Sequence, residues 1–240
     1  MGQKKLIRFA AILTFPNVLQ YPEDMPGQWA AFFKNDHPLT LELACGKGEY
    51  TVGLARMYPQ RNFLGVDQKG NRIYVGAKTS LKDNITNAAF LRTQIDRLPT
   101  YFNPGEVEEI WLTFPDPQLR RSKARRRLTH PKFLRLYQQI LKPGGRIHLK
   151  TDSPILYNFT RLVIDMYGLQ LLESSDNIHA GPMKEELKIT THYESLDIAG
   201  SQRIHYLLFT LPTTPLPLLD EALQEKVWEL EPDPSQIAGQ

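Results

Sequence analysis

Four carboxylates close apolar runs at regular intervals along this chain: Glu42 in LTLELACG, Asp67 in NFLGVD, Asp116 after EEIWLTF and Asp152 after RIHLKT. A fixed carboxylate accepts hydrogen bonds, so such groups suit the two hydroxyls of a ribose or the N–H donors of a planar base. Gly46 and Gly48 follow Glu42 as a G-x-G turn, where a missing side chain lets a ligand approach the backbone. Alone that turn is weak, and it lacks the third glycine of the dinucleotide fingerprint. With Asp67 about 20 residues further on, a cofactor of nucleoside type becomes the better reading. Asp116 lies between prolines in TFPDP, which remove two backbone donors and stiffen the turn around it. A basic block follows at once: Arg120, Arg121, Lys123, Arg125, Arg126 and Arg127 fill six of eight positions. Like charges so close repel one another, and phosphates are the natural counter-charge.

Those residues need a scaffold that brings strand ends together. Short apolar runs at residues 39–45, 62–67, 88–92, 108–114, 146–152 and 203–211 read as strands. Between them, residues 48–58, 71–84, 130–142 and 155–168 carry apolar side chains at helical spacing, with Pro59 and Pro143-Gly144-Gly145 as stops. Alternation of this kind predicts an α/β fold, a doubly wound, mostly parallel sheet with ligands beyond the carboxyl ends of its strands. All four acids then fall on one rim. Residues 1–35 read as an N-terminal extension with a helix near Trp29, residues 36–211 as the main domain, and residues 212–240 as a linker and a short helix.

The composition narrows the class. A chain of 240 residues can bury a sizeable core. Subtracting the six charges of the basic block from the net +3 leaves −3, so positive charge is local and points to one placed anionic partner. One cysteine, Cys45, excludes an internal disulfide and a cysteine-rich zinc site, and six histidines show no metal spacing. No run approaches a membrane span, and the start of the chain fits neither a signal peptide nor a myristoylation site. A reducing, cytoplasmic setting is the expectation, with monomer or homodimer left open.

In chain order, LELACGKG, FLGVDQKGNRI, LTFPDPQLRRSKARRRL, LKPGGRIHLKTD and THYE resemble the bacterial tRNA (guanine-N7)-methyltransferases, over residues 29–209. The resemblance implies a Rossmann-like class I methyltransferase fold, S-adenosylmethionine as cofactor, and tRNA as partner. It implies that Glu42, Gly46, Gly48, Asp67 and the position of Gln94 serve the cofactor. It places Asp116 as the active-site acid, and Arg120, Asp152, Thr191, His192, Tyr193 and Glu194 on the substrate side. Arg121, Lys123, Arg125, Arg126 and Arg127 are expected on the RNA backbone. Three positions depart from the pattern. Gln94 stands where an acid is usual, with Asp96 two residues on, and Gln118 and Ser122 replace an aromatic and a basic residue. Two other readings stay open: a non-catalytic RNA-binding module on this fold, or a methyltransferase for a small molecule or protein.

Overall fold

The computed structural model describes residues 2–192, 194–196 and 203–231. Eight strands form one sheet: β1 (Val18–Gln20), β2 (Leu39–Leu43), β3 (Asn62–Asp67), β4 (Ala88–Arg92), β5 (Val107–Thr113), β6 (Leu141–Thr151), β7 (Gln170–Ser175) and β8 (His205–Thr210). Their order is β1-β4-β3-β2-β5-β6-β8-β7. Neighbours from β1 to β6 run parallel, while β8 is antiparallel to both β6 and β7. The order reverses between β2 and β5, and a doubly wound sheet opens its ligand crevice at such a switch point.

The parallel strands are buried on both faces: LTLEL of β2 and NFLGVD of β3 have no exposed position. Helices cover them: α1 (Gly2–Ala11), α2 (Trp29–Phe33), α3 (Glu49–Met57), α4 (Gly70–Lys82), α5 (Pro131–Ile140), α6 (Pro154–Met166) and α7 (Asp220–Leu230). Helix α5 places Pro131, Phe133, Leu134, Tyr137 and Ile140 on its buried side, and Pro at its first turn fits the donor-free start of a helix. The helix ends at Ile140, and Leu141 already has extended backbone, so KPGG belongs to the start of β6 rather than to the helix expected there.

One aromatic ring organises the β3–β4–α3–α4 corner. A Cβ added to Gly48, Gly65 or Gly76 would stand 2.4, 2.8 and 2.6 Å from Phe90, so the ring fills the space three side chains would have taken. Gly48 also has φ +74°, the left-handed turn that starts α3.

Both extensions join the main core. Met25, Trp29 and Phe33 between β1 and β2, and Leu216, Leu223 and Val227 after β8, lie in one apolar cluster with strands β2 to β6. The stretch read as a linker is tied down: Gln138 Nε2 donates to the carbonyls of Pro212 and Thr214, each at 2.8 Å. Helix α7 is fixed at its start by Arg135, which donates to both carboxylate oxygens of Asp220 at 3.0 and 2.6 Å.

Candidate active site

A cleft of about 1020 Å³ opens beyond the carboxyl ends of β2 to β6. That is room for a nucleoside-sized cofactor together with a base. Asp67, Gln94, Asp116 and Asp152 all line it, and so do Ala44, Lys69, Asp96, Phe114 and Arg126. Three of the four expected acids therefore share one site.

Asp67 ends β3 and is only 7% exposed. Its Oδ2 accepts from the Gly46 N–H at 3.0 Å and its Oδ1 from the Lys69 N–H at 2.8 Å. Each oxygen keeps a further lone pair for a hydroxyl donor. Gly46 thus meets the acid rather than the cleft, and neither Gly46 nor Gly48 lines it; Ala44, at φ +56°, is the loop residue that does. Gln94 stands just before the 3₁₀ turn at Ile95–Thr100 without a side-chain cap hydrogen bond, and Asp96, two residues on, pairs with Lys132.

Glu42, expected with the cofactor, stands apart from the other three acids. It is 3% exposed and does not reach the cleft. Its Oε2 accepts from the N–H (2.8 Å) and hydroxyl of Thr51, and its Oε1 from the hydroxyl of Thr113 at 2.6 Å. The residue joins the first turn of α3 to the last residue of β5, one layer beneath the site. Burial pushes its carboxyl up to about 7, against the threonine hydrogen bonds that lower it.

The FPDP turn is held in an unusual backbone. Phe114 and Gln118 have φ +46° and +48°, a left-handed conformation that non-glycine residues adopt at a cost. The N–H of Gln118 donates to Asp116 Oδ1 at 3.0 Å and fixes the direction of an otherwise exposed carboxylate.

The basic tract divides. Arg120, Arg125 and Arg126 are exposed, and Arg126 reaches the cleft. Lys123 is half-buried. Arg121 donates to the Trp228 carbonyl at 3.2 Å and lies over the Trp228 ring. Arg127, expected on RNA, is 0% exposed. It donates to the carbonyls of Pro117 and Gln118, pairs with both oxygens of Glu231 and stacks over Phe159. A buried guanidinium so committed cannot meet a phosphate.

The segment at residues 191–194 also differs from expectation. Thr191 is buried and its hydroxyl accepts from the Glu194 N–H at 3.1 Å. The Glu194 carboxylate accepts from Lys150 Nζ at 2.9 Å, and that fully buried lysine also donates to the carbonyls of Leu187 and Ile189. Burial lowers the Lys150 ammonium, while Glu194 works to raise it. Thr191 and Glu194 thus secure this loop behind Phe114, near which Lys150 Nζ also lies. His192 is exposed, and Tyr193 lies outside the described residues. Lys150 went unnoticed in sequence; a lysine inside an apolar strand was the available signal.

Among the described residues no cluster of His, Cys, Asp or Glu could hold a metal ion, and no helix is long and apolar enough to cross a membrane.

A family model described as "Putative methyltransferase" matches residues 36–207. A tRNA (guanine-N(7)-)-methyltransferase of Porphyromonas gingivalis is 45% identical over 233 residues, covering 92% of this chain and 93% of the relative. This chain belongs to the tRNA (guanine-N7)-methyltransferase family. Another member, from Bacteroides thetaiotaomicron, is 43% identical, covering 98% of this chain and 94% of the relative. Solved structures confirm the fold further afield. The 16S rRNA methyltransferase KamB superposes with a TM-score of 0.59 at 16% identity, over 82% of this chain and 99% of that one. A 16S rRNA (adenine(1408)-N(1))-methyltransferase from Catenulisporales acidiphilia gives 0.56 at 15% identity, over 79% and 94%. The fold is therefore the Rossmann-like methyltransferase fold, and the ends of its strands deliver Asp67, Asp116 and Asp152 to the cleft.

Proposed function

We propose that the protein methylates N7 of a guanine in tRNA, with S-adenosylmethionine as the methyl donor. One observation carries the reading beyond family membership: Asp67, Asp116 and Asp152 line a single cleft, with Arg126 at the same cleft and Arg120 and Arg125 exposed beside it.

The residues fit the cofactor. Asp67 offers outward lone pairs to a ribose, held in place by two backbone donors, and Ala44, with its small side chain, is the residue of the β2–α3 turn that meets the cleft. Gln94 can accept one hydrogen bond and donate another beside a base. When bound, S-adenosylmethionine supplies an electrophilic methyl group. Glu42 supports this side from below by joining α3 to β5.

Guanine N7 has an in-plane lone pair and carries no proton, so no general base is required. The protein has to hold N7 in line with the methyl group, and such positioning can contribute about 7–11 kcal/mol. As the ring gains positive charge, the Asp116 carboxylate stabilises it more in the transition state than in the ground state. Asp152 is assigned to the donors of the base's Watson–Crick edge. A guanine in folded tRNA must leave its stack, at a cost of roughly a few kcal/mol. Phosphate contacts from Arg120, Arg125 and Arg126 position the RNA and help offset that cost. The main domain at residues 36–211 carries all of these groups.

The test is nucleoside analysis of unfractionated tRNA after incubation with the protein and methyl-labelled cofactor. Label in 7-methylguanosine is expected. Label in any other nucleoside, or none with a cofactor-binding protein, refutes the assignment.

A further inference from the structure

Arg127 and Glu231 connect the end of the chain to the turn that carries Asp116. Arg127 is the last residue of the basic tract, yet its guanidinium is wholly enclosed. From Nε it donates to the Pro117 carbonyl and from Nη2 to the Gln118 carbonyl, both at 3.1 Å. These are the two residues directly after Asp116, and Gln118 is the one in left-handed backbone whose N–H orients the Asp116 carboxylate. The other side of the guanidinium meets Glu231 as a two-point pair, with Nη2 and Oε2 at 2.8 Å. The planar fork thus fixes two carbonyls and one carboxylate in a single arrangement, which a lysine could not reproduce. Helix α7 brings Glu231 to this place from 104 residues away in sequence. The helix is anchored independently at its other end, by Asp220 to Arg135 and Tyr167 and by buried Leu223 and Val227.

We propose that Glu231, acting through Arg127, is a positioning residue for methyl transfer: the C-terminal helix locks the Asp116 turn in its working conformation from behind. The inference rests on the function proposed above. It assigns a role in turnover to a side chain that touches neither cofactor nor base. Without the carboxylate, the buried guanidinium draws the turn's carbonyls toward a new arrangement, the left-handed Gln118 relaxes, and its N–H releases Asp116. A displacement of about 1 Å in a positioned group can cost on the order of 100-fold in rate.

The experiment uses the full chain and Glu231→Gln, with Arg127→Lys as a second variant. Single-turnover methyl transfer to tRNA should fall at least about ten-fold in each, with the KM for tRNA and the affinity for S-adenosylmethionine within about two-fold of the parent. The double variant should be no slower than the slower single one, because both act on one bracket. A general loosening would instead move cofactor affinity together with the rate. Amide exchange of Gln118, read by NMR, should speed up at least ten-fold in Glu231→Gln, since that N–H is held by Asp116 in the parent. The exchange measurement separates the two proposals. If the parent does not methylate guanine but Gln118 exchange rises in the variant, the functional reading fails and the brace stands. If the parent is active and Glu231→Gln leaves both rate and exchange within two-fold, the brace is overturned.

Discussion

Replacing Glu42 with Gln should make the protein more stable above neutral pH, although it removes a charged group with three hydrogen bonds. The unfolded chain releases the Glu42 proton near 4.5, whereas burial holds the folded carboxyl at about 7. Between those values the folded state keeps a proton that the unfolded state has lost. Stability therefore falls as pH rises through the window and is flat above it. A window about 2.5 pH wide, at about 1.36 kcal/mol per pH, gives a total of about 3 kcal/mol. A Gln at this position can accept from the N–H and hydroxyl of Thr51 through its oxygen and donate to the Thr113 hydroxyl, which has lone pairs to receive it. Urea denaturation of parent and Glu42→Gln at pH 5 and pH 8 measures the effect. The advantage of the variant should be about 3 kcal/mol at pH 8 and under about 1 kcal/mol at pH 5. A variant less stable than the parent at pH 8, by an amount that does not change with pH, would refute the reasoning. It would mean that the threonine donors outweigh burial and keep the carboxylate ionised.

Asp116→Ala should cut methyl transfer by about 10²–10³, the loss typical of one preorganised electrostatic group, while calorimetry shows cofactor affinity within a few-fold of the parent. Changing Arg120, Arg125 and Arg126 together to Ala should weaken tRNA binding and reduce its log–log salt slope by about 2–3, measured by filter binding across a salt series. Arg127→Ala belongs to a different class: it leaves Glu231 unpaired and should cost about 3–5 kcal/mol of stability, read by chemical denaturation, with the salt slope little changed. Glu194→Ala strands the buried Lys150 ammonium and should likewise cost about 3–5 kcal/mol near neutral pH; the penalty should shrink as pH rises and the lysine sheds its proton.

The parallel strands and their helices are legible in sequence because two-sided burial makes each strand an uninterrupted apolar run bounded by turn residues. β1 and β7 escape the same reading for opposite reasons. β1 is only three residues long, too short for any period, and β7 alternates half-buried and exposed positions in QLLESS, which reads as a polar loop. The site divides along similar lines. Asp67, Asp116 and Asp152 follow from strand ends, since topology alone delivers those positions to one crevice. Glu42 obeys the same rule yet is taken up by Thr51 of α3 and Thr113 of β5. Nothing local separates Arg127 from Arg126, its neighbour. Which arginine meets solvent and which is enclosed depends on Glu231, far along the chain, and density of charge carries no information about such a partner. The Thr191–Glu194 segment shows the same limit, since its acid is committed to a lysine that a residue-by-residue comparison of motifs does not reveal.

The Phe90 ring is pressed by three backbones that carry no side chain. A methyl group at Gly65 or Gly76 would also stand 2.7 Å from Thr51 Oγ1 or the Lys47 carbonyl, and one at Gly48 would meet a left-handed backbone at φ +74°, so a smaller residue at 90 would leave a void that no side chain from these positions fills. The three glycines are therefore expected to hold in relatives even where residue 90 changes, since each keeps a second constraint of its own.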